Sequence, residues 1–105
     1  MITVSVFYPN RPGSRFDLDY YVNKHMPMAI EGLGAALKEL RVENGLSGRA
    51  PGSPPEYVAI THMRFESEEA FRAAYGAVGP SLRADVPNYT DVEPLMQING
   101  CKMAR

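Results

Sequence analysis

The side chains best suited to proton transfer near neutral pH are the two histidines, His25 and His62. An imidazole can act there as a general acid, a general base or a hydrogen-bond anchor. His25 lies on an apolar face at helical spacing and precedes Pro27 by two positions. Because proline lacks an N–H and crowds the preceding turn, we expect a kink just after His25 and a small pocket beside its ring. The alternative for His25 is a buried ring that bonds a backbone carbonyl.

His62 lies in the middle of an alternating strand pattern and shares one face with Val58, Ile60 and Arg64. Alternation separates the two faces of a strand but does not say which face meets the helices. If this face turns toward the helices, His62 lies opposite His25 and contacts a bound substrate. If it turns away, His62 belongs to an interface with a second chain. We include His62 among the candidate substrate-binding residues.

The chain is unusually rich in tyrosine, with six tyrosines and no tryptophan. The apolar ring and polar hydroxyl of tyrosine suit the wall of a pocket for an aromatic or ether-containing molecule. Tyr21 lies one helical turn before His25 on the same face. Tyr8 ends the first predicted strand, and Tyr89 follows Asn88 in a loop that could cover a pocket mouth. We therefore expect Tyr8, Tyr21 and Tyr89 to bind substrate; the alternative for each is an ordinary place at the edge of the core.

Other site chemistries lack their sequence signals. A facial triad needs two histidines and a carboxylate that converge, but His25 and His62 lie on different predicted elements. Cys101 follows the last predicted strand with no basic partner nearby, so it is not expected to be a nucleophile. Glycine-rich nucleotide-binding motifs are absent. We predict no metal site and no organic cofactor.

The composition sets limits on the class of protein. The 105 residues are 45% hydrophobic and 22% charged, which is typical of one globular domain over residues 1–105. A net charge of −1 without a basic stripe argues against a nucleic-acid partner. No apolar run approaches the ~20 residues of a membrane span, and no signal-peptide pattern opens the chain. With a single cysteine excluding an internal disulfide, the expected compartment is the cytosol.

Hydrophobic periodicity and turn residues predict six elements in the order β-α-β-β-α-β. Strands are expected over 2–8, 36–44, 56–66 and 92–101. One helix is expected over 18–32 with Asp17 as its N-cap, and another after Ser67, interrupted at Gly79-Pro80. This order is typical of the α+β ferredoxin-like fold, a four-stranded antiparallel sheet with two helices on one face. Its other face is expected to be apolar and covered by a second copy of the chain, giving a homodimeric barrel; its candidate residues are Phe7, Leu40, Val58, Ile60 and Leu95.

Three segments resemble the EthD family, which is named for ethyl tert-butyl ether degradation: ITVSVFYPNRPGSRFDLDYYVNKHMPM, GSPPEYVAITHMRFESEEAF and PNYTDVEPLMQI. The resemblance covers roughly residues 1 to 99, and its most specific part is DYYVNKHMPM, which contains His25. It implies the dimeric α+β barrel superfamily. Related members of that superfamily include cofactor-independent monooxygenases, isomerases of small lactones, dehydratases and haem-handling enzymes.

The residues and the resemblance together predict a small cytosolic enzyme without an organic cofactor. Its substrate is expected to be a small hydrophobic molecule, aromatic or carbonyl-containing, that His25 deprotonates. An ionised substrate that reduces oxygen would give a monooxygenase-like reaction, and the same deprotonation could begin an isomerisation or a dehydration. A haem bound through His25 is an alternative by analogy alone. A non-catalytic binding protein and a purely structural dimer are the remaining readings.

Overall fold

The computed structural model describes all residues, 1–105, and has four strands and two helical regions. The strands are β1 (Ile2–Pro9), β2 (Glu39–Asn44), β3 (Tyr57–Phe65) and β4 (Leu95–Gly100). The first helical region comprises α1 (Leu18–Tyr20), a π-helical turn (Tyr21–His25) and α2 (Met26–Leu33); the second is α3 (Glu68–Asp85). Short 3-10 turns cover Gly34–Ala36 and Val86–Asn88. None of the helices combines the length and apolar character needed to cross a bilayer.

The four strands form one antiparallel sheet in the order β2-β3-β1-β4. Val6 of β1 lies opposite Thr61 of β3, and both are buried on the face that the helices cover. Their neighbours Phe7 and Ile60 are paired on the other face and are only half-buried. The predicted ferredoxin-like α+β fold is therefore confirmed. We call the uncovered surface the open face; its side chains are Thr3, Ser5, Phe7, Glu39, Arg41, Glu43, Val58, Ile60, His62, Arg64, Leu95, Gln97 and Asn99.

The first helical region begins where the sequence predicts. Asp17 is the N-cap, and its side chain accepts a hydrogen bond from the Tyr20 N–H at 3.0 Å. Phe16 packs on Tyr21 with ring centroids 5.3 Å apart, which fixes the entry of the chain into the helix. The expected kink after His25 takes another form, because the turn from Tyr21 to His25 widens into a π-helix.

Pro27 explains the position of this π-helical turn. Proline cannot donate the hydrogen bond that an α-helix needs at that position, so the regular ladder is interrupted there. The Met26 N–H instead bonds the Tyr21 carbonyl, five residues back. The wider turn also shifts the buried face. Val22, one residue after buried Tyr21, is 44% exposed, whereas Met26, one residue after His25, is buried.

The second helix differs from its prediction at Gly79-Pro80. Ser67 caps it as expected, accepting a hydrogen bond from the Ala70 N–H at 3.1 Å. The helix then runs unbroken through Pro80 to Asp85, so the expected interruption is wrong. Pro80 is exposed, and the carbonyl deprived of a donor belongs to exposed Gly76, around which there is open space. Water can therefore satisfy that carbonyl, which lets the helix continue.

Two strands begin three residues later than expected. The segment before β2 forms a 3-10 turn over Gly34–Ala36, and β2 starts at Glu39. Pro94 has no N–H for the ladder, and β4 starts after it at Leu95. Leu40, expected on the open face, lies opposite buried Met63 and faces the helices. The other residues expected there do lie on the open face.

A close contact between the helices yields a prediction about two glycines. A Cβ at Gly32 would overlap the Val78 side chain, whereas a Cβ at Gly76, in α3, would meet nothing within 4 Å. Gly32→Ala should therefore lower the free energy of unfolding by about 1–3 kcal/mol through overpacking. Gly76→Ala should raise it by roughly 0.5–1 kcal/mol, the ordinary gain in helix propensity. Urea unfolding of both variants tests this, and a shift of the same sign in both would contradict the packing.

Candidate active site

A buried pair joins the two helical regions. His25, at the end of the π-helical turn, lies with Nδ1 2.9 Å from Oδ2 of Asp85, the last residue of α3. Both side chains are less than 9% exposed. Sequence reasoning missed Asp85, because it is 60 positions from His25 and the helix that carries it was expected to break before reaching it. An acidic residue at the end of a helix gives no signal of its partner.

Asp85 is held as a carboxylate by its neighbours. Its Oδ1 accepts hydrogen bonds from the Tyr20 hydroxyl at 2.8 Å and from Asn88 Nδ2 at 2.9 Å. Burial works against ionisation, but the hydrogen bonds from His25, Asn88 and Tyr20 outweigh it. They hold the pKa of this carboxyl below its ordinary value of 3.8. The hydrogen bond to Asp85 in turn raises the pKa of Tyr20. The carboxylate is thus charged at neutral pH.

The carboxylate fixes the tautomer of His25. An ionised carboxylate can only accept a hydrogen bond, so the Nδ1 of His25 must carry the proton that it donates. In the neutral ring the lone pair is then on Nε2, which is 3.5 Å from the Tyr89 hydroxyl. The ring stacks on Tyr21 with centroids 5.3 Å apart and an interplanar angle of 17°. The imidazole is therefore held by a hydrogen bond on one edge and by stacking on one face.

The three tyrosines predicted for the pocket converge on His25. The hydroxyls of Tyr8 and Tyr89 are 2.7 Å apart, and the Tyr21 hydroxyl is 2.6 Å from Thr61 Oγ1. Burial raises the pKa of all three phenols well above the usual value of 10.0. They stay neutral and can donate hydrogen bonds. Within the Tyr8–Tyr89 pair one hydroxyl donates to the other, which leaves one O–H for Nε2 of His25 or for a ligand oxygen.

These side chains line a cavity of about 710 Å³ between the helices and the sheet. Its volume is within the range of small-molecule sites. The deep wall is apolar; it includes Val6, Met26, Ala29, Met63 and Leu82. Met96 also lines the cavity but is 44% exposed. The lining residues that are exposed to solvent mark its mouth; they include Arg15, Arg83, Asp91 and Glu93. His25 and the three tyrosines belong to the lining, whereas Asp85 does not.

The structure does not bring His62 to this cavity. Its neighbour Thr61 faces the helices, and successive residues of a strand point to opposite faces, so His62 lies on the open face. Its Nδ1 is 2.9 Å from Ser5 Oγ and its Nε2 is 3.2 Å from Glu43 Oε1. The placement of His62 opposite His25 is therefore wrong, and the alternative of an outward-facing residue is correct. Asn88, expected near the mouth, holds Asp85 instead.

The residues at the site do not suit a metal ion or a haem. No three His, Cys, Asp or Glu side chains come together as ligands. A haem iron would need access to Nε2 of His25, because Nδ1 is bonded to Asp85. The Tyr89 hydroxyl lies 3.5 Å from Nε2, and its ring centroid is 4.7 Å from that of the imidazole. Tyr89 thus lies against the nitrogen that a haem iron would need, so the residues present do not fit a haem.

The ionised Asp85 predicts a pH-dependent stability. Because its folded pKa is lowered, the contribution of Asp85 is complete above about pH 4 and is lost as the pH falls through the folded pKa. Asp85→Asn should lower the free energy of unfolding by about 1–3 kcal/mol at pH 7. The difference from the parent protein should shrink below pH 3.8. Urea titrations at pH 7 and pH 3 measure this.

The control for that prediction is Glu31→Gln, which removes an exposed acid that forms no salt bridge. It should change the stability by no more than about 0.5 kcal/mol at either pH. An equal loss of stability in Asp85→Asn at both pH values would show that folding does not lower the pKa of this carboxyl.

Comparison with known proteins places this chain in a family. The family model described as "EthD domain" matches residues 14–93. The crystal structure of an EthD-like protein from Ralstonia eutropha JMP134 is 42% identical, with a TM-score of 0.93. The match covers 99% of this chain and 94% of that one. A search of curated proteins finds no significant match.

More distant structures share the fold alone. An ethyl tert-butyl ether degradation family protein from Bacillus halodurans C-125 is 16% identical with a TM-score of 0.62, the match covering 98% of this chain and 99% of that one. A protein from an uncultured marine organism, described as a dimeric ferredoxin-like protein, is 11% identical with a TM-score of 0.61, covering 100% and 98%. The family-model match over most of the chain and the 42% identity to an EthD-like protein together establish that the chain belongs to the EthD family.

Proposed function

We propose that this protein is a cofactor-independent enzyme that removes a proton from a small hydrophobic molecule with an aromatic or carbonyl group. The observation that carries the proposal is the His25–Asp85 pair at the wall of an apolar cavity. His25 is the catalytic base, and Asp85 is a positioning residue because it does not line the cavity. The exposed, unpaired thiol of Cys101 fits a reducing compartment, the cytosol.

The geometry supports proton abstraction at Nε2. A general base must present a lone pair to its substrate, and the hydrogen bond from Nδ1 to Asp85 leaves that lone pair on Nε2. When the imidazole accepts a proton, it becomes a cation 2.9 Å from a carboxylate, which stabilises the charge that forms. Stacking on Tyr21 keeps the ring from turning away.

The neutral tyrosines can stabilise the negative charge that proton removal leaves on the substrate. Loss of a proton from a phenol or from a carbon next to a carbonyl leaves negative charge on oxygen. The free O–H of the Tyr8–Tyr89 pair is placed to donate to such an oxygen close to His25. The apolar, methionine-rich wall keeps water away and suits an aromatic ring.

The proposed outcome is oxidation, in which the ionised substrate itself passes electrons to molecular oxygen. Isomerisation is the second candidate, because a single imidazole can take a proton from one carbon and return it to another. Dehydration is less well supported, because it needs an acid other than His25 whenever the departing hydroxyl lies out of reach of the imidazole. The remaining donors beside His25 are phenols whose raised pKa makes them poor acids.

We also propose that the protein is a homodimer joined through the open face. A row of apolar side chains crosses three strands there, since Phe7 lies opposite both Ile60 and Leu95. Leu95 is 53% exposed, and no element of the chain covers this face. Sheets bury their apolar faces, and a related fold is described as dimeric.

The role of His25 can be tested with 4-nitrophenol, whose absorbance differs between its neutral and ionised forms. The cavity of the parent protein should raise the ionised fraction of the bound phenol above that in solution. His25→Ala should abolish this increase. It should also lower turnover by about 100-fold or more across polyphenols and 1,3-dicarbonyl compounds, measured by oxygen uptake and product NMR.

His62→Gln is the matched control, because it removes the other histidine from the opposite face of the sheet. It should leave both readouts unchanged. Unaltered ionisation and turnover in His25→Ala would remove His25 from the mechanism. Binding of the phenol with no turnover of any compound would indicate a non-catalytic binding protein.

Sedimentation and native mass spectrometry test the dimer. The parent protein should have the mass of two chains, and Ile60→Glu should yield a monomer because it places a charge in the apolar row. Leu46→Glu, at a loop position that is 85% exposed, should remain dimeric. A monomeric parent protein at micromolar concentration would contradict the proposed assembly.

A further inference from the structure

Arg83 is a cation at the mouth of the cavity that has no acidic partner. It lies in the last turn of α3, is exposed and lines the cavity. The chain's five salt bridges leave it unpaired. A guanidinium offers five N–H donors in a planar fork that matches a carboxylate. Arg83 therefore has free capacity to bind an anionic group at the entrance of the site.

Two neighbours on the same helix hold Arg83 in place. Its guanidinium carbon lies 5.9 Å from the ring centroid of Tyr75, another lining residue. Both side chains cross over Gly79. A Cβ there would be 2.9 Å from Tyr75 Cε2 and 3.1 Å from Arg83 Nη1. Glycine in a helix interior costs about 1 kcal/mol relative to alanine, and here its missing side chain makes room for the arginine and the tyrosine.

The other charged groups at the mouth leave this role to Arg83. Arg15 already donates from Nη2 to the Pro87 carbonyl at 2.8 Å. Asp91 accepts from the backbone N–H of Arg15 at 2.9 Å, and Glu93 adds a second negative charge on that side. Arg83 is therefore the lining arginine whose guanidinium makes no hydrogen bond within the chain, so its donors are free for an anion.

We propose that the substrate is a planar aromatic or conjugated acid whose carboxylate binds Arg83 and Tyr75. Its ring lies along the apolar wall, where Leu82 and Val86 of the same stretch of chain line the cavity. Its ionisable group then reaches His25. The inference rests on the proposed function, because it takes the His25 cavity as the place where substrate binds.

A matched pair of probes tests the charge preference. 2-Naphthoate and 2-naphthamide share size and shape, but only the first is an anion. Titration calorimetry should show that the parent protein binds the acid about tenfold more tightly than the amide, as expected for one charge-assisted hydrogen-bonded pair. Arg83→Gln should remove this preference by lowering the affinity for the acid alone. Gly79→Ala should reduce it by displacing the Arg83 and Tyr75 side chains.

The controls separate this inference from the proposed chemistry. Arg72→Gln makes the same change on the same helix outside the cavity and should preserve the preference. His25→Ala should also preserve it, because binding the carboxylate needs no proton transfer. Equal affinity for the two probes, including no binding of either, would overturn the proposal. An equal loss of affinity for the acid and the amide in Arg83→Gln would also overturn the proposal.

Discussion

The buried hydrogen bond between His25 and Asp85 is the constraint on which the site depends. It joins the π-helical turn to the end of α3 and is the only salt bridge in which both side chains are buried. Leaving one partner of such a buried hydrogen bond unsatisfied costs about 1–3 kcal/mol. Tyr20 and Asn88 also donate hydrogen bonds to the carboxylate, and these offset the unfavourable burial of its charge. The same bond sets the tautomer of the imidazole, and thereby which nitrogen meets the cavity.

Irregularities in the helices build the rest of the site. The π-helical turn caused by Pro27 places Tyr21 and His25 in a stack against the cavity. Pro80, exposed on α3, does not stop that helix, which therefore extends far enough to deliver Asp85. Gly79 leaves room for side chains at the mouth. Each departure from ideal helix geometry thus has a consequence for the cavity, as expected where local rules are broken for function.

Periodicity and turn chemistry were enough to predict the fold, because each element carries its own signal. The strands β1 and β3, the cap at Asp17 and the first helical region all lie where the sequence indicates. The grouping of Tyr8, Tyr21 and Tyr89 with His25 also follows from helix and strand positions. The role of Asp85 could not be predicted, because it depends on a contact with His25, a residue 60 positions away in the sequence. The face of His62 could not be assigned, because alternation separates the two faces of a strand without showing which of them the helices cover.

The central claim is that Asp85 orients His25 as a base with its lone pair on Nε2. Nitrogen-15 NMR of the imidazoles tests it most directly, because the chain has only two histidines. The neutral form of His25 should carry its proton on Nδ1. His62, which accepts from Ser5 at Nδ1 and donates to Glu43 from Nε2, should show the opposite tautomer. A His25 protonated on Nε2 in its neutral form would contradict the account.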